Sequence, residues 1–261
     1  MKFSKIITYE QPVNEHTRIC LRLEQLFKRI NQFIGIDSLL HTQQTLDSLI
    51  EIIALTDRAD LKNLLLGELR RMHSHFTRLK SIPNIDHVRL NELLTRIQQI
   101  IETLVSSERK LLESLRQNDF LAAIRLQKSN PGGVAPFDQP HYYYWLHLPY
   151  ETRRSCIDNW LEGLNPLKIT VTLLLQLIRD SSYSEMKTAN KGTFQHVLDP
   201  KIPCQLIRIA IPIEAHAYPE ISVGPHRLYV RFFSAFISAL IHERPDIITK
   251  DLDFQLTCCA L

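Results

Sequence analysis

At 261 residues, with 44% hydrophobic and 23% charged side chains, the chain has the composition of a globular protein with a sizeable core and not that of a disordered one. Seven glycines against 13 prolines argue against nucleotide-binding folds that spend glycine on phosphate loops. A formal net charge of +3 is too mild to blanket a nucleic acid, so any electrostatic function resides in a local patch.

The opening MKFSKIITYEQPVNE lacks the apolar core, about 7–15 residues long, of a secretory signal. Within it ITYEQPV (7–13) is a candidate edge strand, its proline excluding a central position. Asn14 then stands as N-cap of a helix whose Ile19, Leu23, Leu26, Phe27, Ile30, Phe33 and Ile34 follow a helical period. Arg18, Arg22 and Arg29 line the opposite face, as either a solvated basic surface or one edge of an anion-binding one. Further helices are expected over 38–56, from an Asp60 cap with Leu61, Leu65, Leu69, Met72, Phe76 and Leu79 inward, and from Asp86 with Leu90, Leu93, Leu94, Ile97, Ile101 and Leu104 inward. SIPN (81–84) separates the last two. Residues 107–128 read as helical with a weak point at Asn118-Asp119. No fixed-period repeat joins these segments, which makes them a bundle and not a solenoid.

The least ordinary stretch is SNPGGVAPFDQPHYYYWLHLPYETRR (129–154). Asn130-Pro131-Gly132-Gly133 is a turn, because glycine accepts positive φ and proline cannot continue a helix. Asp138 and Pro140 start a short helix that Pro149 stops, and Pro149 opens the next, through Trp160 and Leu164. Trp145, Leu146 and Leu148 read as core; the tyrosines have too few basic neighbours for a base-stacking platform. Asn165-Pro166 launches PLKITVTLLLQLIRD, the most apolar helix, whose ITVTLLLQLI run is about half a membrane span.

After Ser181 the pattern changes. CQLIRIAIP (204–212), HRLYVRFF (226–233) and the alternating DLDFQLTCC (251–259) read as strands, and 182–197 could supply a strand pair or hairpin. In DLDFQLTCC, Leu252, Phe254, Leu256 and Cys258 share one face. The apolar run 234–250 is open between a helical insert and a strand extension. Helices first and strands last make an α+β protein: a mainly helical bundle over 1–180, then a smaller antiparallel β domain over 181–261.

Enzyme chemistry finds no support. Five cysteines, odd in number and without C-x-x-C, fit reduced thiols of a cytoplasmic protein. Among 11 histidines, His73/His75 and His141/His147 have the wrong spacing to share a helix face as metal ligands. P-G-G-V-A-P lacks the Lys and Ser/Thr of a phosphate loop, and there is no G-x-S-x-G. No cofactor, metal or small-molecule substrate is expected, and no membrane partner.

The basic strand is the functional lead. A period of two puts Arg227, Tyr229 and Arg231 on one face, the guanidiniums about 13–14 Å apart, with Leu228, Val230 and Phe232 entering the core. Such a face could grip an acidic, partly apolar peptide, or be solvated surface. Arg58, Lys62 and Arg125 lie near helix ends and could join it. The alternative is a basic helical protein that binds nucleic acid; the modest charge and missing motifs argue against it.

PGG, FDQP, WLHLP before an Arg pair, WLEGLNPL and LLQLIRDS, with YEQPVNEHTRICLRLE near the start, AYPEIS before RLYVRF, and LDFQLTCC at the close, together resemble the cell division protein ZapD family over nearly the whole chain. The resemblance implies a non-enzymatic homodimer that binds the C-terminal tail of FtsZ, a tubulin-like GTPase, and bundles its filaments at the midcell division ring. It also implies a basic partner-binding surface, matched here by Arg227 and Arg231 in RLYVRF and Arg58 in TDRAD. The family's basic position before the run leading to PGG is Asp119 here, which weakens that contact or moves it to Arg125.

Overall fold

The computed structural model describes residues 5–57, 60–83, 85–107, 112–128, 130, 134–199, 202–235 and 246–261. They form two compact units: residues 19–174, and the chain's first 18 residues with 175–261. The protein is α+β, helical first and antiparallel sheet last.

The helical unit contains most of α1 (Glu15–Phe33), then α2 (Leu39–Asp57), α3 (Leu61–Leu79), α4 (His87–Ser106), α5 (Glu113–Arg116), α6 (Asp119–Gln127), α7 (Pro140–Leu146) and α8 (Tyr150–Glu162), and the first ten residues of α9 (Asn165–Arg179). Asn14 Oδ1 accepts the Thr17 amide at 2.8 Å, and the Asp86 carboxylate accepts the Val88 and Arg89 amides, each satisfying amides the helix leaves unpaired. Asp60 does not cap α3. Its φ/ψ of −71°/61° turns the carboxylate from the helix amides, and it accepts from Asn63 Nδ2 instead. Residues 113–127 are helical in two pieces, α5 and α6, parted at the expected weak point by Asn118, whose side chain caps α6 through the Leu121 amide at 3.0 Å. Pro131, Gly132 and Gly133, expected to turn the chain, lie outside the described residues.

The aromatic stretch is core on one side only: Tyr142, Trp145 and Leu146 are buried, while Tyr143 and Tyr144 are exposed. Trp145 and Trp160 are buried and meet over Phe120, with ring centroids 5.4 and 5.6 Å from it. The closing Arg pair is structural as well. Arg153, only 4% exposed, donates to Thr42 Oγ1 at 2.8 Å and to Asp37 at 3.2 Å, so its charge is compensated where water cannot reach it. Arg154 holds Asp158 and the Ile34 carbonyl, each at 2.8 Å.

The second unit is two sheets packed face to face. One has strand order β1-β4-β7-β2 and the other β3-β6-β5, where β1 is Ile6–Pro12, β2 Glu185–Ala189, β3 Thr193–Val197, β4 Cys204–Pro212, β5 Ala217–Val223, β6 Arg227–Ser234 and β7 Leu252–Ala260. Every pairing is antiparallel. Ile207, Ile209 and Ile211 of β4 and Phe254 and Leu256 of β7 meet Leu228, Val230 and Phe232 of β6 in one core. β1 is an edge strand with its proline at the end, as the missing amide of proline requires.

β2 and β3 adjoin in sequence but are not a hairpin: β2 pairs with β7 in one sheet and β3 with β6 in the other. The chain crosses between sheets at Lys191-Gly192, where Gly192 has φ +73° and a Cβ would fall 2.5 Å from the Ile248 carbonyl oxygen. Of the 234–250 run, residues 236–245 lie outside the described residues. Its end extends the sheet beside β6, with Ile247 bridging Phe233 and the Ile248 amide donating to the Phe232 carbonyl.

Candidate functional site

In an antiparallel ladder, residues directly opposite each other share a face. The register of β6 therefore assembles its outer face residue by residue. Arg227 stands opposite Val197, Tyr229 between Gln195 and Ser222, Arg231 between Thr193 and Glu220, and Phe233 opposite Tyr218. Leu228, Val230 and Phe232 alternate with these and are fully buried, which locks the outward orientation of the set: slipping the register by one residue would bury both arginines.

The two arginines differ. Arg231 pairs with Glu220 across the ladder, the side chains 43% and 56% exposed. Its guanidinium lies 5.7 Å from the Phe233 ring centroid, and Phe233 stacks on Tyr218 at 5.8 Å. Arg227 is exposed and has no acidic partner among the described residues. Val197 beside it is 72% exposed. The face is thus cationic at one end, carries Tyr229 among polar Gln195, Ser222 and Thr193 in its middle, and is self-neutralised beside the Phe233–Tyr218 stack at the other end. Sequence reasoning found Arg227, Tyr229 and Arg231 but missed Tyr218, Glu220 and Phe233. The alternation of AYPEISV held the signal for the first two, obscured by Pro219.

In the helical unit the structure gathers a second basic group around the end of α2. Asp57 accepts from Arg125 at 2.8 Å and forms an ion pair with Arg116 at 2.7 Å, and Arg116 donates to the Thr56 carbonyl at 3.0 Å. Lys62, at the start of α3, donates to the Ser107 carbonyl at 3.2 Å, which complements the negative end of the α4 dipole. Arg58 lies outside the described residues. Arg116, which sequence reasoning did not single out, is more enclosed than Arg125, 13% against 36% exposed. Asp119 opens α6, a position where a carboxylate favours the helix.

Arg18 is spent locally on Glu15 at 2.8 Å. Arg22 is exposed and borders an open groove of about 350 Å³ with Gln25, Arg29, Glu51 and Leu55. Glu51 already pairs with Arg29 at 3.4 Å and Lys128 at 3.0 Å.

Among the described residues no three His, Cys, Asp or Glu side chains are placed to hold a metal ion. The clearest thiol pair is Cys204 on β4 with Cys258 on β7: the hydrogen bond between them pushes the Cys204 thiol up and holds Cys258 below the ordinary thiol range. No single described helix is long and apolar enough to cross a membrane.

The ZapD family model, described as a cell division protein, matches residues 21–231. Similar proteins include the cell division protein ZapD of Coxiella burnetii, 37% identical over 255 residues and 98% of each chain. That of Methylococcus capsulatus is 34% identical over the same share of each chain. That of Aromatoleum aromaticum is 33% identical over the full length of both.

Proposed function

Because the chain belongs to the ZapD family of cell division proteins, we propose that it is a non-enzymatic division factor that captures the flexible C-terminal tail of FtsZ. The tail docks on the outer face of β6, and a homodimer with two such faces cross-links filaments at the midcell ring in the cytoplasm.

The observation that carries this reading is Arg227, exposed and without an acidic partner among the described residues, on one strand face with Tyr229 and Arg231. A tail carboxylate gains a charge-assisted hydrogen bond there. An apolar tail side chain gains contact with Tyr229, Val197 or the Phe233–Tyr218 stack. A nucleic acid is served less well, because Glu220, Asp57 and Glu51 are interleaved with the cations and would repel a continuous line of phosphates. The groups around Asp57 and beside Arg22 are further contact regions in this reading. Two tail sites on one dimer raise the effective concentration of the second binding event and join two filaments without any new contact.

The test is co-sedimentation with GTP-assembled FtsZ, with and without its C-terminal tail. Pelleting requires the tail and weakens with salt, since exposed charges are screened within about 10 Å at 0.1 M. Arg227→Glu removes one exposed charge contact and adds a repulsion of similar size, together about 0.5–2 kcal/mol, or about 2–30-fold in affinity. Equal pelleting of tailed and tailless FtsZ would place the contact on the FtsZ core and end this reading.

A further inference from the structure

We infer that Glu220 is an internal competitor for the partner's carboxylate, which withholds Arg231 from simple anions and makes this face selective for a peptide that brings apolar contacts as well as charge. The inference rests on the tail-capture reading above and specifies which residue sets the selectivity of that face.

The backbone ladder places Glu220 directly opposite Arg231, so its carboxylate is tethered beside the guanidinium whether or not a ligand is present. The pair is exposed on both sides, 43% and 56%, and such pairs hold only weakly. Glu220 can therefore be displaced by a ligand that brings enough other contacts. A small anion arriving at Arg231 exchanges one carboxylate for another and gains almost nothing. It also meets a face whose two arginines and one glutamate leave a single net positive charge, centred on Arg227. A peptide gains more. Its first acidic group binds Arg227, and the chain running along the strand lays apolar side chains on Tyr229 and the Phe233–Tyr218 stack. Those contacts offset the displacement of Glu220 at the far end.

The same device recurs in the helical unit, where Asp57 occupies both Arg116 and Arg125. Arg227 lacks such a carboxylate among the described residues. The contrast orders the events on the sheet face: Arg227 is open for first capture, and Arg231 engages only when Glu220 yields.

The experiment is fluorescence anisotropy of a labelled FtsZ tail peptide with the full chain, comparing wild type, Glu220→Gln, Arg227→Glu, Arg231→Gln and the Glu220→Gln/Arg231→Gln double variant. Glu220→Gln tightens binding by about 2–5-fold, the factor an exposed ion pair is worth; a damaged fold does not produce a gain. In the Arg231→Gln background that gain falls by more than half, because the guanidinium that Glu220 withheld is absent. Free acetate competes measurably better against the peptide in Glu220→Gln than in wild type. If Glu220→Gln leaves binding unchanged or weaker while Arg227→Glu still weakens it, the competitor role is wrong and tail capture on this face stands. A gain that persists in full without Arg231 is a general charge effect and also overturns the inference. If neither Arg227→Glu nor Glu220→Gln moves the affinity, the docking face itself is misplaced and both readings fall.

Discussion

Glu10→Gln should destabilise the sheet unit far more than the loss of any exposed ion pair. Glu10 sits on β1 and receives Arg179 through Nε at 2.8 Å and Nη2 at 2.7 Å, while Arg208 on β4 approaches it at 3.1 Å. The three side chains are 20%, 21% and 32% exposed. Glutamine matches the size of glutamate, so no cavity opens, and its amide oxygen can keep one hydrogen bond. What is lost is a full negative charge that both guanidiniums approach. Removing one partner of a fully buried pair costs about 3–5 kcal/mol, and exposed pairs contribute at most about 1 kcal/mol. With roughly one-fifth of the cluster in water, the expected loss is about 2–3 kcal/mol. Urea denaturation followed by circular dichroism reads this directly, with Arg231→Gln as the exposed control, expected to lose under about 1 kcal/mol. Hydrogen exchange should show the β1 amides opening first, since that strand loses its tie to the last turn of α9. A loss for Glu10→Gln no larger than that of the control would refute the reasoning, and would mean that water compensates both arginines.

Gly192→Ala should cost on the order of 2 kcal/mol or more in the same assay, because the new methyl must meet the Ile248 carbonyl oxygen at 2.5 Å from a backbone with φ +73°; a neutral result would show that the crossover between sheets is loosely held. Burial, with Glu68 and Glu24 nearby, pushes the Cys20 thiol up to about 12, against an ordinary value of 9.0. The unfolded chain therefore loses this proton first: the stabilising contribution is complete below pH 9 and is lost as pH climbs toward about 12, by about 1.4 kcal/mol per pH unit at most. Denaturation midpoints between pH 8 and 11 should fall more steeply for wild type than for Cys20→Ala, and parallel curves would contradict the assignment.

Much of the architecture was legible because its signals are local. A helical period of apolar residues with Asn14 or Asp86 ahead of it specifies a helix, and the strict alternation of RLYVRF specifies which side of β6 faces water. The failures are equally physical. Asp60 has the right chemistry for a cap, but the backbone angles that decide whether it caps are not written in its identity. β2 and β3 look like a hairpin since period-two alternation carries no information about which sheet a strand joins. DLDFQLTCC reads as one buried face, and Leu252, Phe254 and Cys258 do pack against the sheet core, yet Thr257 and Cys259 are buried on the opposite side, because both faces are covered there. For the candidate site, the outward residues of β6 could be read in advance. The partners Glu220 and Tyr218 could not, since they arrive through a register with β5 that only folding establishes. Glu10 and Arg179, 169 residues apart in the chain, carried no sequence signal at all.

The place of β1 has a consequence for the order in which the molecule can assemble during synthesis. Residues 6–12 emerge before the rest of their sheet, but their ladder partner β4 begins at Cys204 and the next strand in that sheet, β7, at Leu252. At about 5–20 residues per second, the ribosome needs roughly 10–40 s to make the intervening 200 or so residues. Through that interval β1 is an unpaired, partly apolar segment, although the sequence of residues 19–174 is already complete. The nascent chain therefore carries an open strand edge for most of its synthesis, the kind of surface chaperones hold and aggregation exploits. β1 gains its ladder only when β4 leaves the exit tunnel.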